Sequence, residues 1–232
     1  MLIISSRPVG WLLGTALYII GIIHSGVIPD SIGGLGISIA QIVTLGFPIC
    51  IVAVSVNDVY DYPSDLKNPR KSPMSVEGTL LPPAHHTFVK RAAVVSSIGI
   101  IVVSTFPYWH ASSAETWQIL TPTTSTTALV TLGWMYSAPP FRLKEVPILD
   151  SFSNGLIIWL TWFIGYSSSY VLTETRLSFR DIPLEVYMLS IVVTGMHALA
   201  AAADIDADTS AGYRTVGTLL GRRACAIYTM IT

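Results

Sequence analysis

The sequence predicts an all-α, polytopic membrane helix bundle, and three observations carry that prediction. Of its 232 residues, 51% are apolar and only 12% are charged, against roughly a quarter charged in soluble domains. Six segments, near 9–29, 34–57, 88–107, 118–137, 150–172 and 184–204, each offer the roughly 20 mostly apolar residues that a spanning helix requires, and a seventh begins near 215. The basic residues also divide unevenly across these segments. Eleven of the thirteen fall on one side (Arg7, Lys67, Arg70, Lys71, Lys90, Arg91, Arg142, Lys144, Arg214, Arg222 and Arg223), and only Arg176 and Arg180 fall on the other. By the positive-inside rule the first side, with the N-terminus, is cytoplasmic.

Each element has its own justification. Arg7 precedes the first apolar run, which is too long for a signal-peptide core and lacks a small-x-small cleavage site, so it reads as a span. The second span ends in Asn57-Asp58-Val59-Tyr60-Asp61-Tyr62-Pro63-Ser64-Asp65. A polar, Pro-containing loop over 58–87 leads to His85-His86, which open the third span as interfacial residues. The fourth span ends at Tyr136-Ser137, and Pro139, Pro140, Arg142 and Lys144 mark the connection over 138–149. Asp150 starts the fifth; an acid at the membrane edge is either functional or a helix cap. The sixth runs into Asp204-Ile205-Asp206-Ala207-Asp208.

Most of the six tryptophans suit helix ends near the bilayer interface, and the sequence leaves open which of them line an interior channel instead. Cys50 and Cys225 lie in apolar runs without metal-ligand spacing and read as small core residues. The net charge of −1 argues against a nucleic-acid partner. No repeat of fixed period and no low-complexity tract occurs, which leaves one membrane domain over 1–232.

The two acidic clusters carry the chemistry. If the second helix continues through the first cluster at 100° per residue, Asp58, Asp61 and Asp65 fall about 100°, 40° and 80° from Asn57, on one face. Asp204 and Asp208, four apart, share a face that Asp206 does not. Carboxylates gathered in this way repel one another and are costly to desolvate unless cations join them. Mg²⁺ takes oxygen ligands and typically links one or two carboxylates to substrate phosphates. The expected metal set is therefore Asp58, Asp61, Asp65, Asp204 and Asp208, with Arg70, Lys71, Arg142, Lys144 and Arg214 on the same side to neutralise a diphosphate leaving group. Solvated loop acids paired with Lys and Arg are the structural alternative.

These motifs resemble the UbiA superfamily of intramembrane prenyltransferases, whose signatures are Asn-Asp-x-x-Asp-x-x-x-Asp after the second helix and Asp-x-x-x-Asp after the sixth. Ser6-Arg7-Pro8, the stretch from Tyr136 to Lys144, and Gly212-Tyr213-Arg214-Thr215 agree in order and spacing. The resemblance implies a helical bundle around a lipid-facing cavity, with Mg²⁺ joining the acidic motifs to a prenyl diphosphate and a lipophilic acceptor dissolved in the membrane. It assigns Asn57, Asp61, Asp65, Asp204 and Asp208 to metal and diphosphate, with Asp58 beside them. Arg70, Lys144 and Arg214 are assigned to the diphosphate. Tyr136 becomes a cavity residue whose ring faces the carbocation.

The wording of 61–71 and 136–151, with Gly195-Met196-His197, is most similar to the lycopene elongase branch. His197 lies seven residues before Asp204 and nearly in register with it, so it should face the same cavity, either as a proton acceptor or as a residue bonded between helices. The family fold has nine helices and this sequence reaches into the seventh, so the expectation is a short chain lacking the last two. Three readings compete: a prenyltransferase, a membrane terpene cyclase that needs no acceptor, and an inactive membrane protein that retains acidic loops.

Overall fold

The computed structural model describes residues 1–68, 80–111 and 114–232, and among these every regular element is helical. The principal helices are α1 (Pro8–Ser25), α2 (Ile32–Tyr60), α3 (Pro83–His110), α4 (Thr116–Ser137), α5 (Leu149–Leu172), α6 (Leu184–Ala211) and α7 (Val216–Ile231). All seven expected segments are helical. Five of them, α1, α2, α3, α5 and α6, are long and apolar enough to cross a membrane. The helix α4 has the length, but its Thr-rich run lowers its hydropathy, and α7 is shorter and kinked at Gly221, whose φ is 78°.

The polarity of the bundle is that of a membrane protein. Large apolar side chains such as Leu12, Val95, Ile98 and Leu184 point outward, while Ser167, Ser168, Ser169 and Gln41 are buried. An apolar exterior of this extent needs lipid around it. Several interior serines and threonines return hydrogen bonds to their own helix, as Ser167 does to the Phe163 carbonyl at 2.7 Å, while Ser169 reaches across to the Val27 carbonyl. The protein is an integral membrane protein.

The helix α5 is the hub, buried along most of its length and in contact with α1, α4 and α6. Gly21 of α1 and Gly165 of α5 make a close crossing: a Cβ on Gly165 would meet the Tyr18 carbonyl, and one on Gly21 the Trp162 carbonyl. Small residues at such crossings let backbones approach where no hydrophobic effect drives helices together. Around this contact, Trp162, Phe163, Tyr166 and Tyr170 stack along α5. Trp159 and Trp162 therefore sit in the bundle rather than at an interface, whereas Trp109 and Trp117 are exposed near helix ends, as expected.

Two irregularities in α2 set the direction of its last residues. A π-helical turn spans Ile51–Ser55, one of the single-turn insertions that re-aim a helix face. The helix then stops at Tyr60, Asp61 takes φ −89° and ψ −4°, and a short separate helix occupies Tyr62–Asp65. The expectation of one continuous helix through the first cluster is overturned. Pro63 has no N–H to give Val59, and its ring would clash with that carbonyl, so the chain restarts with Pro63 in the first turn of the new helix.

Candidate active site

The restart at Asp61, the end of α6 and the 138–149 connection converge on one end of the bundle, around a cavity of about 540 Å³. This lies within the roughly 300–1,000 Å³ of small-molecule sites. The mouth is polar, with Asn57, Asp61, Asp65, Lys144, Asp204 and Asp208; deeper walls come from Leu13, Leu17, Ile49, Ile157, Ile158 and Val193. Tyr136, Asn154 and His197 also line it.

The two clusters are tied together by neutral donors. Asn68 Nδ2 donates to Asp204 Oδ1 at 2.6 Å and Ser64 Oγ to Asp208 Oδ1 at 3.1 Å. Thr215 Oγ1 donates to Asp208 Oδ2 at 3.3 Å. Asn57 Nδ2 donates to Ser137 Oγ at 3.2 Å, linking the first cluster to the end of α4. Neither Ser64, Asn68 nor Thr215 was anticipated as a site residue, although all three lie within or beside the motifs.

Lys144 is the cation at the centre. It is buried, at 6% exposure, and its ammonium pairs with Asp61. Burial pushes the Lys144 amine down to about 8, against the opposing pull of Glu145, Asp208 and Asp58. Its Nζ also lies 5.8 Å from the centre of the Tyr213 ring, and the Arg142 guanidinium lies 5.2 Å from the same ring. Arg142 pairs with Glu145.

Not every anticipated residue reaches the cavity. Asp58 is fully buried behind its wall, with Arg7 Nη2 at 3.0 Å from Oδ1, and so does not share the cavity face it was expected to share. Arg214 is exposed on the loop before α7 and does not line the cavity. Arg70 and Lys71 lie outside the described residues. Asp206 is exposed and pairs with Arg222 at 2.7 Å, in keeping with the helix geometry that separated it from Asp204 and Asp208. His85 is exposed, and His86 Nε2 bonds the Leu81 carbonyl at 2.9 Å, away from the cavity.

Asp150 resolves as a cap of an unforeseen kind. Its carboxylate, fully buried, accepts from the Ser151 N–H and from the Val216 N–H, both at 2.6 Å. It thus caps the start of α7 from the start of α5.

The charge balance of the cavity wall defines what it can hold. Among the described lining residues are five carboxylates (Asp61, Asp65, Glu145, Asp204 and Asp208) against two cations, Arg7 and Lys144, and Arg7 is engaged with Asp58. Among the described residues no three acidic or imidazole groups converge as a preformed metal centre. Excess negative charge and an all-oxygen donor set nevertheless suit a hard divalent cation, which binds through one or two carboxylates, water and a substrate phosphate rather than in an all-protein cage.

Comparison with known proteins gives a consistent picture. A family model described as the UbiA prenyltransferase family matches residues 12–232. A lycopene elongase/hydratase from Corynebacterium glutamicum is 31% identical over an alignment covering 96% of this chain and 70% of that protein. A lycopene elongase/hydratase from Haloferax volcanii is 29% identical, covering 100% and 68%. The solved structure of a UbiA homologue from Archaeoglobus fulgidus bound to DMAPP and Mg²⁺ superimposes with a TM-score of 0.71 at 16% identity, covering 99% of this chain and 73% of that one. This last similarity is one of fold.

Proposed function

Because the chain belongs to the UbiA prenyltransferase family, we propose that it transfers a prenyl group from a prenyl diphosphate to an apolar acceptor dissolved in the membrane, of the linear carotenoid class. The observation that carries this reading is a single cavity with an acidic, Lys-bearing mouth and an apolar interior. One substrate needs both surfaces: a charged diphosphate and a hydrocarbon tail. The names of the relatives support a carotenoid acceptor, and their similarity runs along nearly the whole chain.

Asp61, Asp65, Asp204 and Asp208 are the residues that would hold Mg²⁺, which supplies charge neutralisation to the departing diphosphate. Lys144 adds positive charge at the mouth and Asn57 an amide donor, while Arg142, which does not line the cavity, sits over the ring of the lining residue Tyr213. As the carbon–oxygen bond breaks, the positive charge develops on the allylic carbon, where the face of Tyr136 stabilises it. The apolar wall excludes water while the acceptor double bond attacks. Asp58 acts outside the metal set, holding the N-terminal segment through Arg7. Residues 1–232 act as one unit, with the mouth and N-terminus on the cytoplasmic side, because Lys and Arg concentrate there.

The test uses membranes containing the chain, Mg²⁺ and labelled prenyl diphosphates from dimethylallyl to geranylgeranyl, with and without lycopene. Acceptor-dependent diphosphate release and a prenylated carotenoid are expected. A cyclised hydrocarbon formed without acceptor would replace transfer with cyclisation, and no diphosphate release under any condition would remove both.

A further inference from the structure

Alkylation of an alkene by an allylic cation leaves a new carbocation on the acceptor. That cation must lose a proton or capture water, and in the reading above the carboxylates at the mouth are committed to cation binding. Elsewhere on the cavity wall a different group of polar residues meets. Tyr136 from α4, Asn154 from α5 and His197 from α6 all line the cavity. Asn154 Nδ2 donates to Tyr136 Oη at 3.3 Å and is itself fixed by the Asp150 carbonyl at 2.8 Å. The Tyr136 hydroxyl lies 3.4 Å from His197 Nε2, and with His197 in its Nδ1–H tautomer it donates its hydrogen to that nitrogen. Among the described lining residues, His197 is the one imidazole.

We propose that Tyr136 and His197 form the proton-accepting relay that ends the reaction, an inference that rests on the transferase reading above. The acceptor carbocation loses a proton from the adjacent carbon to Tyr136 Oη, the C–H electron pair becomes the new double bond, and the tyrosine hydrogen passes to His197 Nε2. Tyrosine ends neutral and histidine ends as imidazolium. Asp204, two turns along α6 at about 10 Å, faces that charge from the mouth. Asn154 is the positioning residue that orients the hydroxyl.

The experiment counts products per diphosphate released in membranes containing the full chain, its His197→Gln variant or its Tyr136→Phe variant, supplied with Mg²⁺, labelled prenyl diphosphate and lycopene. The parent should give mainly the alkene. Both variants should shift the ratio of alkene to water-quenched tertiary alcohol toward the alcohol, on the order of a hundredfold for loss of a positioned base. Retention of the parent ratio in either variant overturns the relay, as does a parent product that is alcohol alone. If the parent itself releases no diphosphate, the transferase reading fails and the relay with it; if it turns over while the variants partition as the parent does, the relay alone fails.

Discussion

Removing the Asp150 carboxylate should loosen α7 and, through it, one side of the acidic mouth. In the structure the carboxylate is the acceptor for two buried N–H groups, those of Ser151 and Val216, each at 2.6 Å. Asp150→Ala orphans both donors, at about 1–3 kcal/mol each, for a total of about 2–6 kcal/mol. Asp150→Asn keeps one carbonyl acceptor but turns its NH₂ toward the second donor, so roughly half of that loss is expected. The consequence reaches the site because Thr215, adjacent to Val216, donates to Asp208 Oδ2. Hydrogen–deuterium exchange in detergent is the decisive assay. Losing about 1–3 kcal/mol of local protection speeds exchange at the Val216 amide by roughly 5- to 150-fold. An unchanged Val216 exchange rate in Asp150→Ala would refute the cap, whatever happened to overall stability.

Four further outcomes are expected. Asp61→Ala and Asp208→Ala should each lower diphosphate release by at least about a hundredfold while leaving the protein in the membrane; near-parental turnover in either would contradict the proposed metal set. Arg7→Ala, which removes one partner of a buried carboxylate, should lower stability by about 1–3 kcal/mol in a detergent unfolding titration. Asp58→Asn should leave Mg²⁺ affinity close to that of the parent, and a large affinity loss there would return Asp58 to the metal set. Gly165→Ala drives a methyl into the Tyr18 carbonyl and should destabilise the α1–α5 crossing by about 1–3 kcal/mol, read as a lower melting temperature in detergent.

Much of the candidate site was legible because it depends on local spacing. Asp204 and Asp208 lie one turn apart on an unbroken helix, so their common face followed from helix period alone, as did the outward direction of Asp206. His197 reached the cavity for the same reason, whereas Tyr136 was expected there only through the family resemblance. The first cluster was harder. Pro63 was visible, but the choice between a kinked continuous helix and a restart at Asp61 is made by packing, as is the pairing of Asp58 with Arg7. The partners of the acids, Asn68, Ser64 and Thr215, come from other segments and leave no periodic trace.

By itself the sequence determined the membrane setting, the helix segments and the pairing of two acidic motifs, because hydrophobic run length, charge side and helical period are properties of consecutive residues. Tertiary structure decided which of those residues share a cavity. The approach of Gly21 and Gly165, the insertion of Lys144 against Asp61, and the reach of Asp150 to Val216 join positions far apart in the chain. Such contacts arise only when helices pack and buried polar groups must find partners across them.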